Sequence, residues 1–168
     1  MIYSITTHSA EETLEFGSLL AKYLRDGDLI ALFGDLGSGK TCFTQGVCNG
    51  CGIQEPVTSP TFTLINEYSN SNSIYHFDFY RIGSEDEVYG LGYEEYFYGT
   101  GICLIEWADR VLNFLPANRI EIHMENLFEQ GKEFSRKIEI RFIGAEMQQR
   151  NWAEMFENVE HEKSGIES

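Results

Sequence analysis

The sequence predicts a single α/β domain over all 168 residues, a mixed sheet with a parallel core, antiparallel hairpins and flanking helices. Three observations predict it. The apolar run Leu29–Phe33 leads straight into the glycine-rich stretch Gly34–Thr41, which is the order of a buried parallel strand feeding a loop and a helix. A second apolar run, Ile102–Ile105, ends abruptly in Glu106. Two pairs of alternating segments, Thr63–Tyr68 with Ile74–Tyr80 and Ile120–Met124 with Lys137–Phe142, read as hairpins.

Taken in order, Ile2–Thr6 is the opening strand. Ser9 with Glu12 forms a capping box, and Leu14, Phe16, Leu19, Leu20 and Tyr23 then recur at mostly helical spacing until Gly27 stops the helix. Leu29–Phe33 and its loop follow, then a helix from Lys40 in which Gly46 and Gly50 each cost about 1 kcal/mol against alanine. Gly52–Val57 is a connector, and Thr58–Phe62 a polar turn into the first hairpin, whose serine- and asparagine-rich loop spans Ser69–Ser73. Strand periodicity puts Tyr75, Phe77 and Phe79 on a core face, with His76, Asp78 and Tyr80 on the other. The acidic stretch Ser84–Phe97, interrupted by Gly90 and Gly92, predicts two short helices. Beyond Pro116 the second hairpin carries charges of both signs on its polar rows, placed to pair across strands. Ala145–His161 is a terminal helix, so residues 145–168 form that helix and a frayed tail.

Composition bounds the function. The net charge of −15 makes the chain a poor direct ligand for nucleic acid, which requires lysines and arginines to displace counterions. An acidic surface suits a basic protein partner and equally suits plain solubility. The N-terminus has neither a basic region nor a signal-like apolar stretch, and no run approaches the length of a membrane span, so the expectation is a cytoplasmic protein without membrane association. Cys48 and Cys51 form a C-x-x-C without a second pair or a nearby ligand histidine, so all four cysteines are read as reduced thiols rather than zinc ligands.

Gly34–Thr41 matches G-x-x-x-x-G-K-[ST], the phosphate-binding loop. The residues expected to hold ATP or ADP are Gly34, Asp35, Leu36, Gly37, Ser38, Gly39, Lys40, Thr41 and Cys42. Glycines let backbone N–H groups turn inward around an anion, Lys40 can reach the β- and γ-phosphates, and the Thr41 hydroxyl can sit on Mg²⁺. Such a loop needs a second acid for the metal at the end of a neighbouring strand, and Glu106 supplies it. Asp78 is either a ligand to metal-bound water, a group that orients the attacking water, or a carboxylate satisfied within its hairpin. Thr61 sits where a threonine could sense the γ-phosphate, and His76 is read as structural. No arginine clusters near the loop in sequence, and Arg81 alone is near a candidate site. Contacts to the base are left open between the residues before Ser9 and those around Gln130.

The blocks Gly34–Thr41, Thr58-Ser59-Pro60-Thr61-Phe62, His76-Phe77-Asp78-Phe79-Tyr80-Arg81, Gly92–Phe97 and Ile105-Glu106-Trp107, in this order, resemble the TsaE (YjeE) family. Its members are bacterial P-loop ATPases of threonylcarbamoyl-adenosine synthesis on tRNA. The resemblance implies a P-loop NTPase-like domain in which Thr41 and Glu106 hold Mg²⁺, Lys40, Asp78 and Thr61 serve ATP turnover, and Trp107 lies beside the metal. It also implies a partner, the TsaB–TsaD heterodimer, with tRNA engaged only indirectly. The chain departs from the family pattern at Ala108, where members often have Pro, and at Cys42, where many have a second Thr. The alternative is a small-metabolite kinase, which would need a basic acceptor pocket and usually an arginine-bearing lid.

Overall fold

The computed structural model describes residues 1–128, 131 and 134–164, with side chains through 159. The strands are β1 (Ile2–Thr7), β2 (Leu29–Phe33), β3 (Ile65–Ser69), β4 (Ser73–Asp78), β5 (Ile102–Glu106), β6 (Arg119–Asn126) and β7 (Arg136–Ile143). The helices are α1 (Ala10–Ala21), α2 (Lys40–Gly50), α3 (Glu85–Gly90), α4 (Tyr93–Phe97), a 3₁₀ helix (Ala108–Phe114), α5 (Ala145–Gln148) and α6 (Ala153–Ser164). The strands form one sheet in the order β1-β7-β6-β2-β5-β4-β3. β6, β2, β5 and β4 are mutually parallel, and the hairpins β3–β4 and β6–β7 and the pair β1–β7 are antiparallel. This is the predicted architecture, with the loop strand and the Glu106 strand side by side at its centre. Among the described residues, no helix is long and apolar enough to cross a membrane.

β2 lacks alternation because both of its faces are covered. Ile30 and Leu32 pack with Phe16 and Leu20 of α1 and Phe43 and Val47 of α2. Leu29 and Ala31 pack on the opposite face with Phe77, Phe97, Val111 and Phe114. The same double cover extends to β4. His76 and Asp78 do not face solvent: they are 0% and 5% exposed, on the side that carries Ile74 into the α1–α2 core.

α1 begins as its sequence dictates. The Ser9 hydroxyl accepts from the Glu12 N–H at 3.1 Å, and the Glu12 carboxylate accepts from His8 N–H, one residue before the expected Ser9 N–H, at 2.8 Å. α1 and α2 pack backbone against backbone. A Cβ on Gly46 would stand 2.1 Å from Leu14 O, and one on Gly50 would stand 2.6 Å from Ser18 O. The propensity lost at Gly46 and Gly50 is therefore the condition for helix contact.

Two expectations need correction. The register of β6–β7 does set Glu121 opposite Arg141 and His123 opposite Glu139. The ion pairs nevertheless run along each strand, Arg119–Glu121, His123–Glu121 and Arg141–Glu139, at 2.6–3.0 Å. Alternate residues of a strand share a face about 7 Å apart, within reach of an arginine. The single terminal helix is instead α5 and α6, broken between Gln148 and Ala153. Trp152 causes the break by donating its indole N–H to Met147 O at 2.7 Å while stacking on Phe142 at 4.1 Å. Arg150 pairs with buried Asp28 at 2.8 Å. α6 runs through Ser164, past the expected end of the helix at His161; the rest of the expected frayed tail and Gln130 lie outside the described residues.

Candidate nucleotide-binding site

β2 ends at Phe33 and the loop turns back into α2 within a few residues. Two glycines make that turn possible. Gly34 has φ 150°, and a Cβ there would stand 2.5 Å from Met124 O; Gly39, at φ 100°, caps α2 without any side chain to occupy the first-turn amides. The helix N-terminus thereby presents its N–H groups and its positive dipole end to an anion. Lys40 Nζ donates to Gly34 O at 2.6 Å, Asp35 O at 2.9 Å and Ser38 Oγ at 3.4 Å. It also lies 4.1 Å over the Trp107 ring. Burial pushes the Lys40 ammonium below its ordinary pKa, opposed by Glu106, Asp109, Asp78 and Asp35.

Parallel pairing brings the acids to the loop. Glu106 stands in register with Leu32 of β2, and Asp78 in register with Glu106. The Thr41 hydroxyl donates to both Glu106 oxygens, at 3.1 and 3.0 Å, and His76 Nε2 lies 2.8 Å from Glu106 Oε1. Asp78 accepts from the Ser59 hydroxyl and from Tyr80 N–H, the latter at 2.9 Å. Trp107 takes a left-handed backbone, φ 57°, which for a non-glycine residue costs about 1–3 kcal/mol. That bend ends β5 at Glu106 and sets the indole against Tyr80 at 4.8 Å.

Leu36, Gly37, Gly39, Lys40, Thr41, Cys42, Thr61, Asp78 and Glu106 line one cleft of about 400 Å³. Gly34, Asp35 and Ser38 stand behind it as the acceptors that hold Lys40. Sequence reasoning gave no role to Ser59 or Tyr80, which also line the cleft. Ser59 meets Asp78 across nineteen residues of sequence, and no local pattern signals that contact. Arg81 packs over Phe62 at 4.7 Å, while Arg110 lies 5.6 Å from the Tyr80 ring and 5.9 Å from the Trp107 ring. Cys42 donates its thiol to Ala10 O at 3.2 Å, and burial raises its pKa despite the lowering influence of Arg136, so it is a structural thiol.

The donor set suits magnesium. A hydroxyl and a carboxylate are hard oxygen ligands, and Mg²⁺ commonly takes only one or two carboxylates, filling its shell with phosphate oxygens and water. Thr41 and Glu106 already touch one another and face the same cleft as Lys40. Among the described residues, no group of three or more His, Cys, Asp and Glu forms an all-protein metal cage.

The model of the family described as threonylcarbamoyl adenosine biosynthesis protein TsaE matches residues 7–138. Two relatives carry the name tRNA threonylcarbamoyladenosine biosynthesis protein TsaE. The Treponema pallidum protein is 40% identical over 129 residues, 77% of this chain and 96% of its own. The Bacillus subtilis protein is 43% identical over 130 residues, 77% of this chain and 81% of its own. The crystal structure of Bacillus subtilis YdiB superposes with a TM-score of 0.76 at 32% identity, covering 97% of each chain.

Proposed function

The chain belongs to the TsaE family, and from that premise we propose that it is a cytoplasmic ATPase subunit required for threonylcarbamoyl-adenosine modification of tRNA, binding and hydrolysing Mg-ATP and acting on the TsaB–TsaD heterodimer. One observation carries the ATPase reading: the Thr41 hydroxyl bonded to Glu106 at the mouth of the phosphate loop, in one cleft with Lys40, Asp78 and Thr61.

In this reading the N-terminal amides of α2 and Lys40 bind the phosphates, and Thr41 and Glu106 hold the metal. Bound Mg²⁺ neutralises charge on the β- and γ-phosphates. Asp78 orients the attacking water, and the Ser59 hydroxyl and Tyr80 N–H keep its carboxylate aimed. Thr61, on the turn after Ser59, reports the γ-phosphate to the surface, where Phe62 is 84% exposed. The kinase alternative gains no support: among the described residues lining the cleft, Lys40 is the only cation. The net charge of −15 supports action on proteins rather than on tRNA.

The test is reconstitution of tRNA modification with the heterodimer and Mg-ATP. Omitting this chain or substituting Lys40→Ala is expected to abolish sustained modification, with Lys40→Ala failing to bind nucleotide. Undiminished modification with Lys40→Ala would overturn the proposal.

A further inference from the structure

We propose that His76 is a positioning residue for the divalent cation, holding the Glu106 carboxylate in its ligating orientation through a hydrogen bond donated by Nε2–H. This rests on the reading of Thr41 and Glu106 as the magnesium ligands. His76 is wholly buried, and its Nε2 lies 2.8 Å from Glu106 Oε1. Its other nitrogen, Nδ1, is buried with no hydrogen-bond partner among the described residues. A proton on Nδ1 would be a buried donor with nothing to receive it, whereas a lone pair left there costs less, and the proton on Nε2 meets a carboxylate. The contact therefore makes Nε2–H the donor to Glu106, the arrangement by which an outer partner orients a ligand.

The carboxylate is thereby gripped from two elements. Thr41 of α2 donates to both oxygens, and His76 of β4 donates to Oε1. His76 stands in register with Leu104 on β5, two residues before Glu106, so adjacent parallel strands fix the span between ring and carboxylate. Glu106 is only 3% exposed, so most of its carboxylate's surroundings are protein groups. An imidazole N–H suits this task better than a lysine or arginine would. A cation there would form an ion pair with Glu106 and repel the metal, while the imidazole N–H orients the oxygen without removing its charge.

The test compares His76→Leu, His76→Gln and His76→Asn with the wild-type chain, using N-methylanthraniloyl-ADP binding in EDTA and across a Mg²⁺ titration, with thermal melting as the check on folding. Glutamine can place an amide N–H near the position of Nε2, and asparagine is too short to reach Glu106. The half-saturating Mg²⁺ concentration is expected to rise about 10–100-fold in His76→Leu and His76→Asn, to recover most of the way in His76→Gln, and affinity in EDTA to stay unchanged throughout. In the ¹⁵N spectrum of the wild-type imidazole, the proton is expected on Nε2. A proton on Nδ1, equal Mg²⁺ response in the glutamine and asparagine variants, or an affinity loss of the same size in EDTA would overturn the proposal. Should His76→Leu not fold, the Gln–Asn comparison and the spectrum decide. Glu106→Ala separates the two levels: if it keeps the wild-type Mg²⁺ response, the metal-site reading itself fails. If Glu106→Ala loses that response while the His76 variants keep it, only the positioning role fails.

Discussion

A single residue in this protein gains its meaning from where its partner stands. Thr41 and Glu106 are sixty-five positions apart in sequence and share a hydrogen bond of 3.0 Å. On the magnesium reading, Thr41→Ala and Glu106→Ala each remove a metal ligand and spare the loop amides and Lys40. Both are expected to lower Mg²⁺-dependent hydrolysis by tenfold or more on the order set for metal sites, with a smaller loss of nucleotide affinity. Steady-state ATPase beside equilibrium ADP binding checks this, and normal hydrolysis by Glu106→Ala in the presence of the heterodimer would refute the assignment. Glu121 behaves differently because it is structural. Burial alone would raise its pKa, but hydrogen bonds from His123 and Arg119, with the Arg119 charge, hold it below the ordinary 4.5. A carboxyl depressed in the folded state contributes stability above its unfolded pKa and loses it as pH falls through the folded value. The melting temperature of the wild type is therefore expected to exceed that of Glu121→Gln at neutral pH, with the gap closing as pH drops below about 4.5. A gap that widens in acid would show the sign to be wrong.

At the scale of elements, the sequence was informative wherever the cause was local. The apolar run of β2, the loop glycines, the Ser9 cap and the two hairpins are each set by neighbours in sequence, and the structure keeps all of them. The reading of one continuous terminal helix failed on a distant contact. The break before α6 was set by a tryptophan stacking on β7. The helical glycines show the same limit: their cost was legible and their purpose was not. Gly46→Ala would gain about 1 kcal/mol of helix propensity. Its methyl would meet the Leu14 carbonyl at 2.1 Å, and backbone there cannot step aside without separating α1 from α2. Overpacking typically costs about 1–3 kcal/mol, so net destabilisation is expected. Gly90, at the end of α3, has nothing within 4 Å of a would-be Cβ, and Gly90→Ala is expected to stabilise by about 0.5–1 kcal/mol. Denaturant midpoints of the two variants should move in opposite directions; a stabilised Gly46→Ala would mean that α1 and α2 do not pack as closely as described.

At the scale of the whole molecule, the cleft was legible as a set of residues but not as an assembly. The sequence named the loop, both proposed metal ligands, Thr61 and Asp78, yet it gave no sign that Ser59 would hold Asp78 or that Arg110 would lie over Tyr80 and Trp107. That assembly frames the last prediction, that hydrolysis is switched on by the partner. Transfer of a γ-phosphoryl group requires compensation of the charge that develops in the transition state. Among the described residues lining the cleft, Lys40 alone is cationic, and it is anchored to the carbonyls of Gly34 and Asp35. Arg81 and Arg110 pack instead on the rings of Phe62, Tyr80 and Trp107. An arginine supplied in trans can be worth about 10³–10⁵ in rate for this chemistry, or roughly 4–7 kcal/mol. A chain of net charge −15 attracts a basic surface, and the Thr61 turn carries the exposed Phe62 beside the cleft to meet it. The isolated protein is therefore expected to bind nucleotide and turn over slowly, and the TsaB–TsaD heterodimer to raise kcat. Asp78→Ala should keep ATP binding and lose that rise, because water orientation and transition-state charge are both needed. ATPase measured alone and with the heterodimer, for wild type and Asp78→Ala, checks the outcome. Full-rate hydrolysis by the isolated wild type, unchanged when the heterodimer is added, would mean that the chain already contains every group the reaction needs.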